Sequence, residues 1–362
     1  MITIGQKSIT ELDEIKNSLP GPERELFDRY FRVDTTIGRL TAPEKMIGWI
    51  NKNFGSLERV EHQKIVKVTN LLTMEGALFN ELRANRPMEC KVNQEIREII
   101  ANSTGDPFCK PLEGTPSDLF GRATGKYSMS ASNIAKYDGH HGLVIFNEHN
   151  PLTVNREAIA DYFETGLEWA RKAHAVDEEA KYYFFMWNCL WKSGASIIHG
   201  HAQMTLTKGM HYPKIEALRR VFASYLQNYG VCYFKDLHQI HTSLGLGWEW
   251  DGGVKGMAYL TPVKEKEIIL VHDKLDEAFY DAIHRVLEKY MEICAVSYNL
   301  ALYMPPLWPT GEDWSGFPVV VRIVDRGDPN NKTADIGAME LYSASVISSD
   351  PFRVAGLMTG KS

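Results

Sequence analysis

The residues best suited to chemistry crowd into one short segment, Ser193-Gly-Ala-Ser-Ile-Ile-His-Gly-His-Ala-Gln203. Read as a strand, the run from Ile198 to Met204 sends His199, His201 and Gln203 to one face. Ile198, Gly200, Ala202 and Met204 then point to the other. Alternate residues lie about 6 to 7 Å apart, so two imidazoles and an amide form a line. The turn before them, Lys192-Ser-Gly-Ala-Ser196, carries a glycine and two hydroxyls and suits backbone N–H groups gathered around an anion, phosphate above all. A neutral imidazole nitrogen is available near pH 7 and attacks phosphorus well, and the resulting phosphoramidate is labile enough to be resolved by a second acceptor. A merely structural pair of histidines would require neither Gln203 in phase nor an anion-type turn.

Such a strand needs a framework, and the chain shows one in a repeated order. Residues 126–132 and 141–146 read as strands, 156–175 as an amphipathic helix, and 181–188 and 197–206 as two more strands. A weaker echo follows: strands at 256–260 and 267–271, a helix from 276 to about 296, then strands at 298–303 and 317–324. This predicts an internal duplication, with an N-terminal extension over 1–65, a first repeat over 66–230 and a second over 231–362. Within the extension, Ala42 to Gly55 reads as a helix opened by Pro43 and closed by Gly55. Residues 66–87 read as strands leading to Arg83 and Arg86, and 88–125 as loop. Antiparallel sheets with one long helix per unit make the class α+β, and no GxGxxG or P-loop turn is present.

The chain has 362 residues, 44% of them hydrophobic, and a net charge of -6, so nothing in its balance serves to neutralise a nucleic-acid backbone. No run reaches the roughly 18 to 20 apolar residues of a membrane span, and the first residues lack the apolar core of a signal peptide. These features predict a cytoplasmic protein with neither nucleic acid nor membrane as a partner. Five cysteines, odd in number and widely spaced, do not form the framework of a secreted domain.

The segment His199-Gly-His-Ala-Gln203 after a Gly-x-Ser turn resembles the galactose-1-phosphate uridylyltransferase family of the histidine-triad superfamily, and the resemblance runs over about residues 66–355. It implies a duplicated histidine-triad-like fold, an antiparallel half-barrel with helices packed on it. It places the nucleophile at His201, a phosphate contact at Gln203 and the turn serine at Ser196, with Gly194 and Lys192 in the turn. Asn188, eight residues before that serine, matches an orienting asparagine, and Asn133 one near the nucleoside. Arg83-Ala-Asn-Arg86-Pro87 resembles the family's Arg-x-x-Arg-Pro, which makes Arg83 and Arg86 candidates for bidentate phosphate contacts.

The resemblance also implies a structural zinc. Relatives use Cys-x-x-Cys and two histidines; here the matching positions are Asp106, Cys109, His149 and His199, with aspartate in place of one cysteine. Such a set is chemically acceptable for zinc and leaves no position for water. In the second repeat, residues 298–307 lack the histidines of a second metal site. Glu340 falls where relatives contact sugar hydroxyls, but Met339 replaces the aromatic beside it.

The expected activity is ping-pong transfer of a nucleoside monophosphate between a nucleotide sugar and a phosphate-bearing acceptor such as a sugar phosphate. A phosphorylase of nucleoside-diphosphate sugars or dinucleoside polyphosphates uses the same machinery. A histidine-triad hydrolase would turn over without a phosphate acceptor, and a non-catalytic nucleotide-binding protein would form no adduct. The resemblance further implies a homodimer.

Overall fold

The computed structural model describes residues 7–80, 82 and 94–360. Helix α1 (Gly21–Tyr30) leads into β1 (Phe31–Arg39), and α2 (Ile47–Phe54) ends on Gly55 at φ +87°, where the sequence placed its stop. Strands β2 (His62–Asn70) and β3 (Gly76–Asn80) follow, and after them α3 (Gln94–Asn102).

The larger part of the molecule holds β4 (Ser128–Ser132), β5 (His140–Phe146), helix α4 (Arg156–Val176), β6 (Ala180–Asn188) and β7 (His201–Lys208). Helices α5 (Pro213–Tyr229) and α6 (Tyr233–Leu244) come next. The β-β-α-β-β order then returns as β9 (Val254–Ala258), β10 (Glu265–His272), α7 (Glu277–Glu292), β11 (Tyr298–Tyr303) and β12 (Val319–Asp325), preceded by a short edge strand, β8 (Gly247–Trp250). Helix α8 (Ala338–Tyr342) and β13 (Ser345–Ile347) close the chain with α9 (Pro351–Thr359).

Two sheets result. One has the order β1-β2-β3-β13; the other is an open, antiparallel nine-stranded sheet, β4-β5-β7-β6-β11-β12-β10-β9-β8. The second order is mirrored about the β6–β11 pair: β4-β5-β7-β6 on one side and β9-β10-β12-β11 on the other. The fold class is therefore α+β, as its pattern predicted.

Helix α4 shows how one side is built. Asn155 caps it by accepting from Ala158 N–H, and its buried face carries Ile159, Phe163, Trp169 and Ala170 against the sheet. On β5, Gly142 lets the helix come close, since a Cβ there would lie 2.7 Å from the Trp169 indole. Helix on one face and further chain on the other make β5 and β7 almost continuously buried. Cys109, Cys189 and Cys232 are free thiols, and Cys294 is disulfide-bonded, a pairing that the wide spacing of the cysteines concealed. Among the described residues no helix is long and apolar enough to cross a membrane.

Candidate active site and metal centre

Strand β7 begins at His201, four residues later than its sequence pattern indicated. The preceding backbone is held elsewhere: Gly200 N–H donates to His149 O (3.1 Å) and Gly200 O accepts from Phe146 N–H (3.0 Å). His199 is thereby released from the strand and turned into a separate cluster. Only His201 and Gln203 share a face of β7, with Ile145 and Leu143 of β5 opposite them.

His201 is buried, with the edge of Phe108 against its ring at a centroid distance of 5.1 Å. Its Nδ1 lies 2.8 Å from the carbonyl oxygen of His199. A carbonyl can only accept, so Nδ1 carries the proton and Nε2 keeps a lone pair. Burial holds the imidazole pKa below its ordinary value, which favours this neutral form.

Two residues along β7 and on the same face, Gln203 is oriented by a histidine that the sequence reading passed over. Tyr137 N–H donates to His141 Nδ1 (3.0 Å), so His141 carries its proton on Nε2 and donates to Gln203 Oε1 (2.9 Å). Asn133 Nδ2 stands 3.5 Å from the same oxygen. With its oxygen engaged, the Gln203 amide offers N–H groups to an incoming acceptor. A buried histidine on the strand flanking the motif was the signal for His141.

At the end of β6, Asn188 Oδ1 accepts from Asn299 Nδ2 (2.6 Å), its register partner on β11. Asn299 is in turn held by Arg326 Nη1 (2.6 Å), and Arg326 pairs with Asp335 (2.6 Å). The turn itself is shaped by Gly194 at φ +99° and by Ser193, whose hydroxyl donates to Cys189 O and Leu190 O. Ser196 is exposed beside it. Lys192 donates to the carbonyl oxygens of Asn331 (2.9 Å) and Thr333, tying the turn to the 328–335 loop. Glu340 makes no hydrogen bond to this group: it accepts from Gly337 N–H (2.9 Å) at the start of α8 and lines a cavity that Asn299 and Arg326 also line. Arg83 and Arg86 lie outside the described residues.

Asp106, Cys109, His149 and His199 do come together, with one potential ligand atom from each all within 4.8 Å of one another. Cys109 Sγ is 3.3 Å from His149 Nδ1 and 3.5 Å from His199 Nδ1. Each imidazole presents Nδ1 because its Nε2 is tied to a main-chain oxygen, His199 to Phe146 O (2.7 Å) and His149 to Ile100 O (3.0 Å). Asp106 Oδ1 accepts from Phe108 and Cys109 N–H, while Oδ2 is buried with no partner. A carboxylate oxygen buried without compensation is costly, and a divalent cation supplies that compensation. Thiolate, two imidazoles and one carboxylate suit zinc. The group fits the residues.

No family model matches the chain, and no curated protein matches it. Solved structures do. An ADP-glucose phosphorylase from Arabidopsis thaliana with bound ADP-glucose superimposes with a TM-score of 0.60 at 16% identity, over 80% of this chain and 97% of that one. The fold is that of the uridylyltransferase-like proteins. A GalT-like protein from Arabidopsis thaliana gives a TM-score of 0.58 at 15% identity, over 80% of this chain and 96% of that one. A uridylyltransferase gives 0.56 at 15% identity, over 81% and 97%.

Proposed function

We propose that the chain moves a nucleoside monophosphate from a nucleotide sugar to a phosphate-bearing acceptor through a nucleotide carried covalently on Nε2 of His201. The observation that carries this reading is the His201 Nδ1 contact with His199 O, which leaves Nε2 as a buried, unprotonated nucleophile. In the first displacement Nε2 attacks the α-phosphorus, a P–N bond forms, and the P–O bond to the departing sugar phosphate breaks. In the second, a phosphate oxygen of the acceptor attacks, the P–N bond breaks, and the neutral imidazole returns. Growing charge on the phosphoryl oxygens falls to the Gln203 amide, Ser196 and the turn N–H groups beside Gly194. Asn188 and Asn133 bracket the site, and Arg83 and Arg86 complete it as phosphate contacts. Lys192 acts through the loop it holds.

Zinc would be held by Asp106, Cys109, His149 and His199, and would fix the segment whose carbonyl sets the His201 tautomer. We take residues 66–230 and 231–362 as the two repeats, 1–65 as the extension, and a homodimer as the working assembly. Inorganic phosphate or a nucleoside diphosphate as acceptor, as in a phosphorylase, is the second reading. The likeness in fold to an ADP-glucose phosphorylase supports it.

The test is to incubate the protein with nucleoside-diphosphate sugars and dinucleoside polyphosphates, without acceptor, and to measure intact mass. An acid-labile nucleotide adduct, absent in His201→Ala, is expected, and its mass names the base. Turnover without adduct or acceptor would establish a hydrolase instead, and neither would leave a nucleotide-binding protein.

A further inference from the structure

A cavity of about 570 Å³ lies over the second half of the sheet, within the size range of small-molecule sites. Its floor is the face of β11 and β12 that carries Asn299, Ala301, Tyr303, Arg322 and Val324. Leu218 and Val221 of α5 form one wall, and Ile336 and Leu341 another. In the mirrored strand order, β12 takes the place that β7 holds in the first half.

The floor holds a fixed polar couple. Arg322 Nε and Nη1 each make a 2.6 Å ion pair, with Glu267 and Glu75 respectively. Its Nη2 is buried without a hydrogen-bond partner. A donor without a partner thus sits beside the Glu75 carboxylate, which accepts from Arg322 and Tyr259 and keeps further lone pairs, among apolar walls. A phosphate is disfavoured at Arg322, because Glu267 and Glu75 already neutralise its guanidinium, and the other cations of the lining, Arg326 and Lys264, are held by the carboxylate and the carbonyl oxygen of Asp335. A flat, neutral group with an acceptor and an N–H donor side by side is matched, and that is the edge of a nucleobase. At the rim the charge differs: Lys214, at the start of α5, is exposed and makes no hydrogen bond or ion pair among the described residues.

We propose that this cavity is a second nucleotide-binding site, with the base seated on Arg322 and the Glu75 carboxylate and the phosphate at Lys214. It rests on its own geometry and needs no covalent chemistry at His201.

Binding of AMP, GMP, UMP and CMP to the full chain carrying His201→Ala, measured by equilibrium dialysis, tests the proposal. Adding Ala301→Phe fills the floor beside Arg322, its register partner on β12, and circular dichroism checks its fold. One equivalent of nucleotide per chain should be lost, and ribose 5-phosphate, which lacks a base, should not compete for that equivalent. Lys214→Glu, at an exposed position, should weaken the same equivalent at least about fivefold for nucleotides while leaving the nucleosides unchanged. The proposal is overturned if no nucleotide binds, if the filled variant binds as many equivalents as its parent, if ribose 5-phosphate competes fully, or if Lys214→Glu leaves nucleotide affinity unchanged. Loss of the His201 adduct leaves these counts untouched, so the two proposals fail separately.

Discussion

The Nδ1 atoms of His149 and His199 face each other at 3.1 Å, with Cys109 Sγ within 3.5 Å of both. Two imidazole lone pairs so close repel unless a proton or a cation lies between them. Since both Nε2 atoms are already committed to main-chain carbonyls, neither ring can escape by changing tautomer. We therefore expect about one zinc per chain by elemental analysis of protein purified without added metal. Removing it by chelation, or Asp106→Ala, should lower the melting temperature by roughly 5 °C or more. Metal-free protein whose melting is indifferent to chelator would argue against a structural ion.

His141 should matter although it stands away from the attacking nitrogen. His141→Leu frees the Gln203 amide to turn its oxygen toward the phosphate, and the loss of about one hydrogen bond of orientation is worth roughly a tenfold drop in rate. The time course of adduct formation by mass should slow by that factor while nucleotide affinity stays near that of the parent. An unchanged rate would remove His141 from the site.

Asn188 and Asn299 join the two halves of the sheet at the edge of the candidate site. Either single change to alanine removes the contact, and the partners that Asn299→Ala also strands, Arg326 Nη1 and Ser193 O, are lost equally in the single and double variants and cancel in the cycle. A double-mutant cycle in urea should therefore return a coupling of about 1 kcal/mol. Simple additivity would mean the 2.6 Å contact contributes nothing to folding.

His241 offers a pH test far from the catalytic face. It is fully buried in α6, its Nδ1 donating to Leu237 O (2.8 Å) and its Nε2 accepting from Leu260 N–H (3.2 Å). Protonation would destroy the second bond, and burial pushes the pKa down to about 4. The unfolded chain takes up this proton near pH 6.5 and the folded chain only near 4, so stability falls as pH drops through that window and the loss levels off below it. The contribution is about 3 kcal/mol at most. His241→Gln should be less stable at pH 7 yet show a shallower decline between pH 6.5 and 4 in paired melts. Parallel declines would rule the residue out as the titrating group.

Much of this was readable from the chain. Long periodic elements such as α4 and β11 fall within a residue or so of their expected bounds, because burial on a regular period is a local signal. The site motif was legible in residue type, and Asp106, Cys109, His149 and His199, which the fold brings together, were all named from the chain. What stayed hidden depends on partners remote in sequence. The true start of β7 is set by Gly200 bonding to 146 and 149, the role of His141 by pairing of β5 with β7, and that of Asn299 by pairing of β6 with β11. The surroundings of Glu340 were hidden for the same reason: only the packing of α8 shows that its carboxylate caps that helix and lines the cavity beside Asn299.

The mirrored sheet has one more consequence, which concerns symmetry. In an assembly of two identical chains, any substitution appears at both equivalent strands, so the two can never specialise separately. Here the two β-β-α-β-β units are parts of one chain, and a change in β12 leaves β7 untouched. One strand carries His201 while its counterpart carries Arg322, paired with Glu267 of β10 and Glu75 ahead of β3 at the floor of a cavity. Covalent tandem linkage converts a matched pair of surfaces into a division of labour.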